Sequence, residues 1–208
     1  MTKFEQLEQE LQRLVPFTIR YKNEAWEMQV LNLLVWWFCP DFLTRFTTVI
    51  GQTIYLPSRA YVQQHEASAM RTLAHEMVHM LDQERFTKPV FMLGYLFPQI
   101  LAVGVFSFPW LGLWSLGFLL FLLPWPAPFR AHVEIRAYAL DILTSSPGQQ
   151  AQVLAWASHQ FSSWSYYKMY PFTSEVEHAL QRQVRRVEKG EDAHLLKVLL
   201  VYELIANP

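Results

Sequence analysis

Two histidines and a glutamate near the middle of the chain are spaced for chemistry, in the run His75-Glu76-Met77-Val78-His79. The stretch that carries them, 60–86, contains neither Gly nor Pro and reads as one central helix. Residues four apart on a helix lie only ~40° apart around its axis, so both imidazoles can reach one Zn²⁺ at ~2.0–2.1 Å. Glu76 falls ~100° round from His75, close enough to the metal's open position to hold a water but not to ligate. That is the place of a general base. On the same helix Met70, Leu73, Ala74, Met77 and Leu81 gather on the opposite side. The apolar face therefore predicts an anchor in the core, with Thr72, His75, His79 and Asp82 facing a cleft.

A catalytic zinc takes three protein ligands and leaves a fourth position for water. Fifty-five residues after His79, in the run "AHVEIRAYALD", Glu134 opens a second helix and is the expected third ligand. Tyr138 and Asp141 share its face and are placed to orient it. His132 points ~160° away, which makes it a structural or surface residue rather than a ligand. The plain alternative is a helix with two solvent-facing histidines; the joint presence of base and third ligand weighs against it.

The elements that must position these groups are short. Lys3 to Val15 reads as an amphipathic helix with Phe4, Leu7, Leu11 and Leu14 on one stripe, ended by Pro16. "FTIRY" suggests a strand, and Trp26 to Phe38 an apolar helix. "FTTVIGQTIYLP" alternates around Gly51 as a hairpin or a pair of short strands. Further helices are expected over Ala131 to Leu143, Gln149 to Phe161 and Ser174 to Lys189.

Composition narrows the class. A chain of 208 residues with 52% hydrophobic side chains suits one domain with a sizeable core, so a single unit over 1–208 is expected. Seventeen basic against 18 acidic residues, net charge −1, lack the electrostatic footprint of nucleic-acid binding. The one cysteine, Cys39, leaves no internal disulfide and no cysteine cluster, and reads as a small buried apolar residue. The N-terminal residues have no hydrophobic signal core, so no cleaved signal peptide is expected.

The charges are unevenly spread: the 41 residues from Pro89 to Phe129 carry none, and the other 167 hold all 35. "SFPW" at 107–110 divides this window into arms of about 18 and about 14 residues, the second short for a ~30 Å hydrocarbon layer. An apolar hairpin inserted at about 89–129, dipping into a membrane, fits better than two full spans. Arg85 and Lys88 before it, with Arg130 and Arg136 after it, put both ends on the cytoplasmic side. The other reading is a segment buried in a core or a protein interface.

HExxH on a long helix, an Ile/Tyr-rich strand before it, an apolar insertion, and a helix bearing Glu134-Ile135-Arg136-Ala137 together resemble the gluzincin zinc metallopeptidases. The order is similar to their integral-membrane family, which includes the bacterial heat-shock protease and the CAAX prenyl protease. The resemblance covers roughly 46–143. It departs at Tyr138, where the family has Asp, and in lacking membrane spans ahead of HExxH. It implies an α+β fold, predominantly α: a zincin-like core with a small β-sheet and the hairpin set between two metal-binding helices. It also implies one Zn²⁺ per chain held by His75, His79 and Glu134, with Glu76 as base, a peptide or protein substrate, and an active site facing the cytoplasm. By the zincin pattern the strand at about Thr47 to Leu56 would pair with an extended substrate, with Gln52 and Thr53 at its lip. A lipid bilayer is the expected partner, nucleic acid is not, and self-association is left open. An oxyanion-stabilising group is sought among His159, Tyr166, Tyr167, Tyr170 and His178, and no spacing rule selects one. Two alternatives remain: a non-catalytic assembly protein with a structural zinc, and a deformylase-like amidase, for which Cys39 is in the wrong setting.

Overall fold

The computed structural model describes residues 1–36, 40–44, 47–166 and 168–206. It is mostly helical with one small three-stranded sheet, an α+β fold in which helix dominates. The chain forms two compact units, Met1–Met80 with Lys197–Pro208, and Leu81–Leu196. Cys39 and the end of the helix expected to reach Phe38 lie outside the described residues.

In the first unit, α1 (Lys3–Gln12) starts at a capping box: Thr2 accepts from the Glu5 backbone N–H, and the Glu5 side chain accepts from that of Thr2. Phe4, Leu7 and Leu11 are buried as the stripe requires. The helix ends before Leu14, so Val15 rather than Leu14 completes the apolar contact. β1 (Thr18–Tyr21) runs parallel to β3 (Thr53–Leu56), and β2 (Thr48–Ile50) pairs antiparallel with the other side of β3. The hairpin expected around Gly51 is present, with Gly51 at φ +62°, where only a residue without Cβ turns without strain. What alternation could not reveal is that β3 is the central strand. Both its edges are occupied, and the Gln52 carbonyl accepts from Thr18, so an added strand would have to use an outer strand instead. α2 (Trp26–Val35) follows β1. Its buried Met28 packs with Ala25 and Tyr55.

The single helix expected over 60–86 is two: α3 (Arg59–Gln64) and α4 (Glu66–Phe86), broken at His65, whose φ of −129° and ψ of 46° leave the helical region. The first residue of α4 takes a remote role, since the Glu66 carboxylate accepts the Phe4 backbone N–H at 3.0 Å and so caps the first turn of α1. No local pattern announces a bond across 62 positions.

In the second unit, α7 (Pro128–Leu143), α8 (Gln150–Ser162) and α9 (Thr173–Glu188) match the three helices expected there within a few residues. They pack around Tyr138, Ile142, Ala157, Phe161, Val176 and Leu180. Glu134 sits two turns into α7 rather than at its start, because Pro128 occupies the first helical position. A last helix, α10 (Ala193–Ala206), was missed. Its sequence is apolar nearly all round, so it lacks the amphipathic stripe that marks a surface helix.

The charge-free window divides. Its first part, within α5 (Lys88–Leu96), belongs to the packed unit: Phe91 is 3% exposed and its ring meets that of Phe129. The rest is an apolar hairpin. A 3₁₀ stretch, Gln99–Ser107, leads through α6 (Phe108–Leu111) to a second, Gly112–Leu122, and the two 3₁₀ arms pack against each other. Gly112, at φ +54°, makes the reversal close to the expected interruption. Gly104 lets the arms close, because a Cβ there would stand 2.4 Å from the Phe118 ring. By length and composition alone Gln99–Leu122 is also, among the described residues, the one stretch that would pass for a membrane span, with 6% of its apolar 18-residue window buried.

Candidate metal centre

α4 brings His75 and His79 to the same side of one helix, as i and i+4 spacing demands, and their ring centroids lie 5.1 Å apart at an angle of 77°. α7 carries Glu134. One ligand atom from each of His75, His79 and Glu134 falls within 4.8 Å of the others, a group able to hold a metal ion. All three are withdrawn from solvent, His79 and Glu134 to 7% and 2% exposure and His75 less completely. Two neutral imidazoles and one carboxylate are the donor set of many hydrolytic zinc sites, which keep a fourth position open. The residues therefore fit the ion that the sequence implies. Glu76, next to His75 on α4, is half-buried.

Burial along α4 corrects the picture of one apolar face opposite a polar cleft face. Met70, Leu73, Ala74 and Met77 are buried as expected, but so are Val78, His79, Met80, Asp82 and Gln83, while Leu81 is only partly covered. Asp82 does not line an open cleft. It is 1% exposed and accepts from Arg136 Nε at 3.1 Å. Arg136 also donates to Asp192, at 2.5 Å from Nη1, and Asp192 accepts from Gln183 Nε2 at 2.7 Å and from the Leu195 backbone N–H. Arg136, read from sequence as a flanking charge beside a membrane, is thus the buried centre of an ion network.

The partner that orients Glu134 also differs from expectation. Tyr138, on the same face of α7, donates its hydroxyl to Tyr166 at 2.5 Å. Tyr95, from the first helix of the charge-free window, donates to Glu134 Oε1 at 2.6 Å. Tyr95 was missed because a lone tyrosine in an apolar run has no spacing signal pointing to a residue 39 positions later. Among the candidates for an oxyanion donor, Tyr166 stands in the electrostatic surroundings of Glu134. Burial pushes its phenol well above the ordinary value, and the Glu134 charge adds to the rise, so it remains a protonated donor. His159 and His178 are exposed, Tyr170 donates to Glu175 at 3.0 Å, and Tyr167 lies outside the described residues. His132 is exposed, as its position on α7 required.

No protein-family model, no curated protein and no solved structure matches the chain.

Proposed function

We propose that the chain is a zinc-dependent metallopeptidase anchored to a membrane by its apolar hairpin. The observation that carries the reading is the convergence of His75, His79 and Glu134, from two helices, on one group of ligand atoms, with Glu76 beside them. Zinc bound there would supply Lewis acidity to the scissile carbonyl and bring the pKa of a bound water towards ~7. His75 and His79 would hold the ion through imidazole nitrogen, and Glu134 through carboxylate oxygen. Glu76 accepts the proton of the attacking water and returns it to the amide nitrogen as the C–N bond breaks.

The membrane part rests on length and polarity. Arms of 9 and 11 residues, at ~2.0 Å per residue in a 3₁₀ helix, reach roughly 18 and 22 Å, short of a ~30 Å hydrocarbon core. A hairpin of that depth enters and leaves by the same face. Its outward residues suit lipid: Trp114 is 88% exposed, Trp110 81% and Phe106 76%. Its hydroxyls and its exit indole are satisfied within the chain, Ser107 on the Gly104 carbonyl, Ser115 on that of Gly112 and Trp125 on that of Leu120.

The test is elemental analysis of the purified full chain together with cleavage of a peptide library by wild type and Glu76→Gln. One zinc per chain in both proteins is expected, with cleavage lowered ~10²–10⁴-fold in the variant, the usual worth of a general base. Zinc without cleavage in wild type would overturn the peptidase reading, and absence of zinc would overturn the metal centre.

A further inference from the structure

The charge-free window contains a single tyrosine, Tyr95, and its hydroxyl ends on the one carboxylate of the metal-binding group. We propose that Tyr95 is a positioning residue for the metal: its phenol fixes the rotation of the Glu134 carboxylate, acting from the root of the apolar hairpin. The proposal rests on the reading of Glu134 as a ligand.

The 2.6 Å bond is as short as a hydroxyl donating to a carboxylate makes, and such bonds are about twice as strong as neutral ones. A carboxylate can turn about its last torsion at little cost, so a ligand of this type needs an outside partner to hold one oxygen while the other is offered. Tyr95 is itself immobilised. Arg130 Nε donates to the Tyr95 carbonyl at 2.8 Å, and the guanidinium carbon lies 5.1 Å from the centre of the Tyr95 ring. The Phe91 ring stacks on the Tyr95 ring at 5.8 Å and 20°. Beside it Gly94 admits Phe129 of α7, whose ring would stand 2.8 Å from any added Cβ, so α5 seats close against the helix that carries Glu134.

The same arginine reaches the hairpin. Arg130 Nη2 donates to Gln99 Oε1 at 3.1 Å, and Gln99 is the first residue of the first arm. Two hydrogen bonds from one guanidinium thus tie the start of the apolar hairpin to the residue that holds the metal ligand. Lys in place of Arg130 keeps the charge but not the planar fork that serves both acceptors.

The experiment uses the full chain in detergent micelles, stripped of metal and titrated with zinc against a competing chelator, and with Co²⁺ for its visible spectrum. Tyr95→Phe removes one oxygen and is expected to weaken zinc binding ~10–100-fold, the usual cost of losing an outer partner of a ligand, and to alter the cobalt spectrum. Arg130→Lys should move both readouts in the same direction and less far. A purely structural tyrosine would lower the melting temperature of the metal-free chain while leaving zinc affinity and cobalt spectrum as in wild type, and that result would overturn the proposal. If Tyr95→Phe does not fold, wild-type affinity and spectrum in Arg130→Lys overturn it instead. Failure of wild type to bind either metal is distinguishable, since it removes the ligand reading on which the proposal stands.

Discussion

His79 and Glu134 are ordinary polar residues on ordinary helices until burial is considered. At 7% and 2% exposure, two such side chains are costly unless each is given hydrogen bonds or a metal, and the donor set of His75, His79 and Glu134 suits a metal. Removing a ligand should therefore matter more than removing the residue that orients it. Glu134→Ala is expected to lower zinc affinity by more than the ~10–100-fold assigned to loss of an outer partner, measured by chelator competition. Equal losses in Glu134→Ala and Tyr95→Phe would mean that Glu134 does not ligate. The spacing of the histidines, the place of Glu76 and the candidacy of Glu134 were legible because helical periodicity converts sequence distance into angle. Tyr95 was not, because its hydrogen bond to Glu134 depends on how α5 packs on α7.

Among the elements, α4 and α7 are joined by the buried ion network of Asp82, Arg136 and Asp192, each no more than 6% exposed. The network also takes in Gln183 of α9 and the N-terminus of α10, where Asp192 accepts the Leu195 N–H. Breaking a buried pair leaves charge without compensation, which costs ~3–5 kcal/mol, whereas the intact network has little net stabilising value over apolar residues. Arg136→Met should thus destabilise the fold by about that amount in denaturant unfolding of the metal-free chain. A loss under ~1 kcal/mol, the scale of a surface pair, would show that these carboxylates are solvated in solution. The sequence reading placed Asp82 in a cleft and Arg136 beside a membrane, and both errors have one cause. Periodicity says which residues share a face, but not what the face meets.

For the molecule as a whole, the charge-free window has two roles that composition does not separate. The part up to Leu96 packs within its unit and brings Tyr95 to Glu134, while Gln99–Leu122 exposes tryptophan, phenylalanine and leucine outward. Replacing 101–122 with a short Gly/Ser linker, which spares Tyr95 and Gln99, should release the chain from carbonate-washed membranes and leave zinc stoichiometry unchanged. A wild-type chain that is a soluble oligomer without detergent would instead assign the apolar surface to contacts between proteins. A hairpin that stays within one leaflet should also keep a cysteine at position 110, in a Cys39→Ser background, from reacting with an impermeant maleimide on the far side of sealed vesicles. Labelling there would mean that the arms cross.

The sequence by itself determined the periodic features: most of the helices with a clear apolar stripe, that a turn at Gly51 joins two strands, that His75, Glu76 and His79 share a helix, and that a long uncharged stretch must be buried or lie in lipid. These follow from local chemistry, in which side-chain spacing maps onto backbone geometry within a few residues. Tertiary structure alone decided the rest: β3 as the central strand, the break at His65 with Glu66 capping α1, the ion network at Arg136, and Tyr95 on Glu134. The β1–β3 pairing and the bonds of Glu66 to Phe4, Arg136 to Asp82 and Tyr95 to Glu134 join residues at least 35 positions apart, set by which surfaces pack together, and no local pattern along a single chain encodes such a choice.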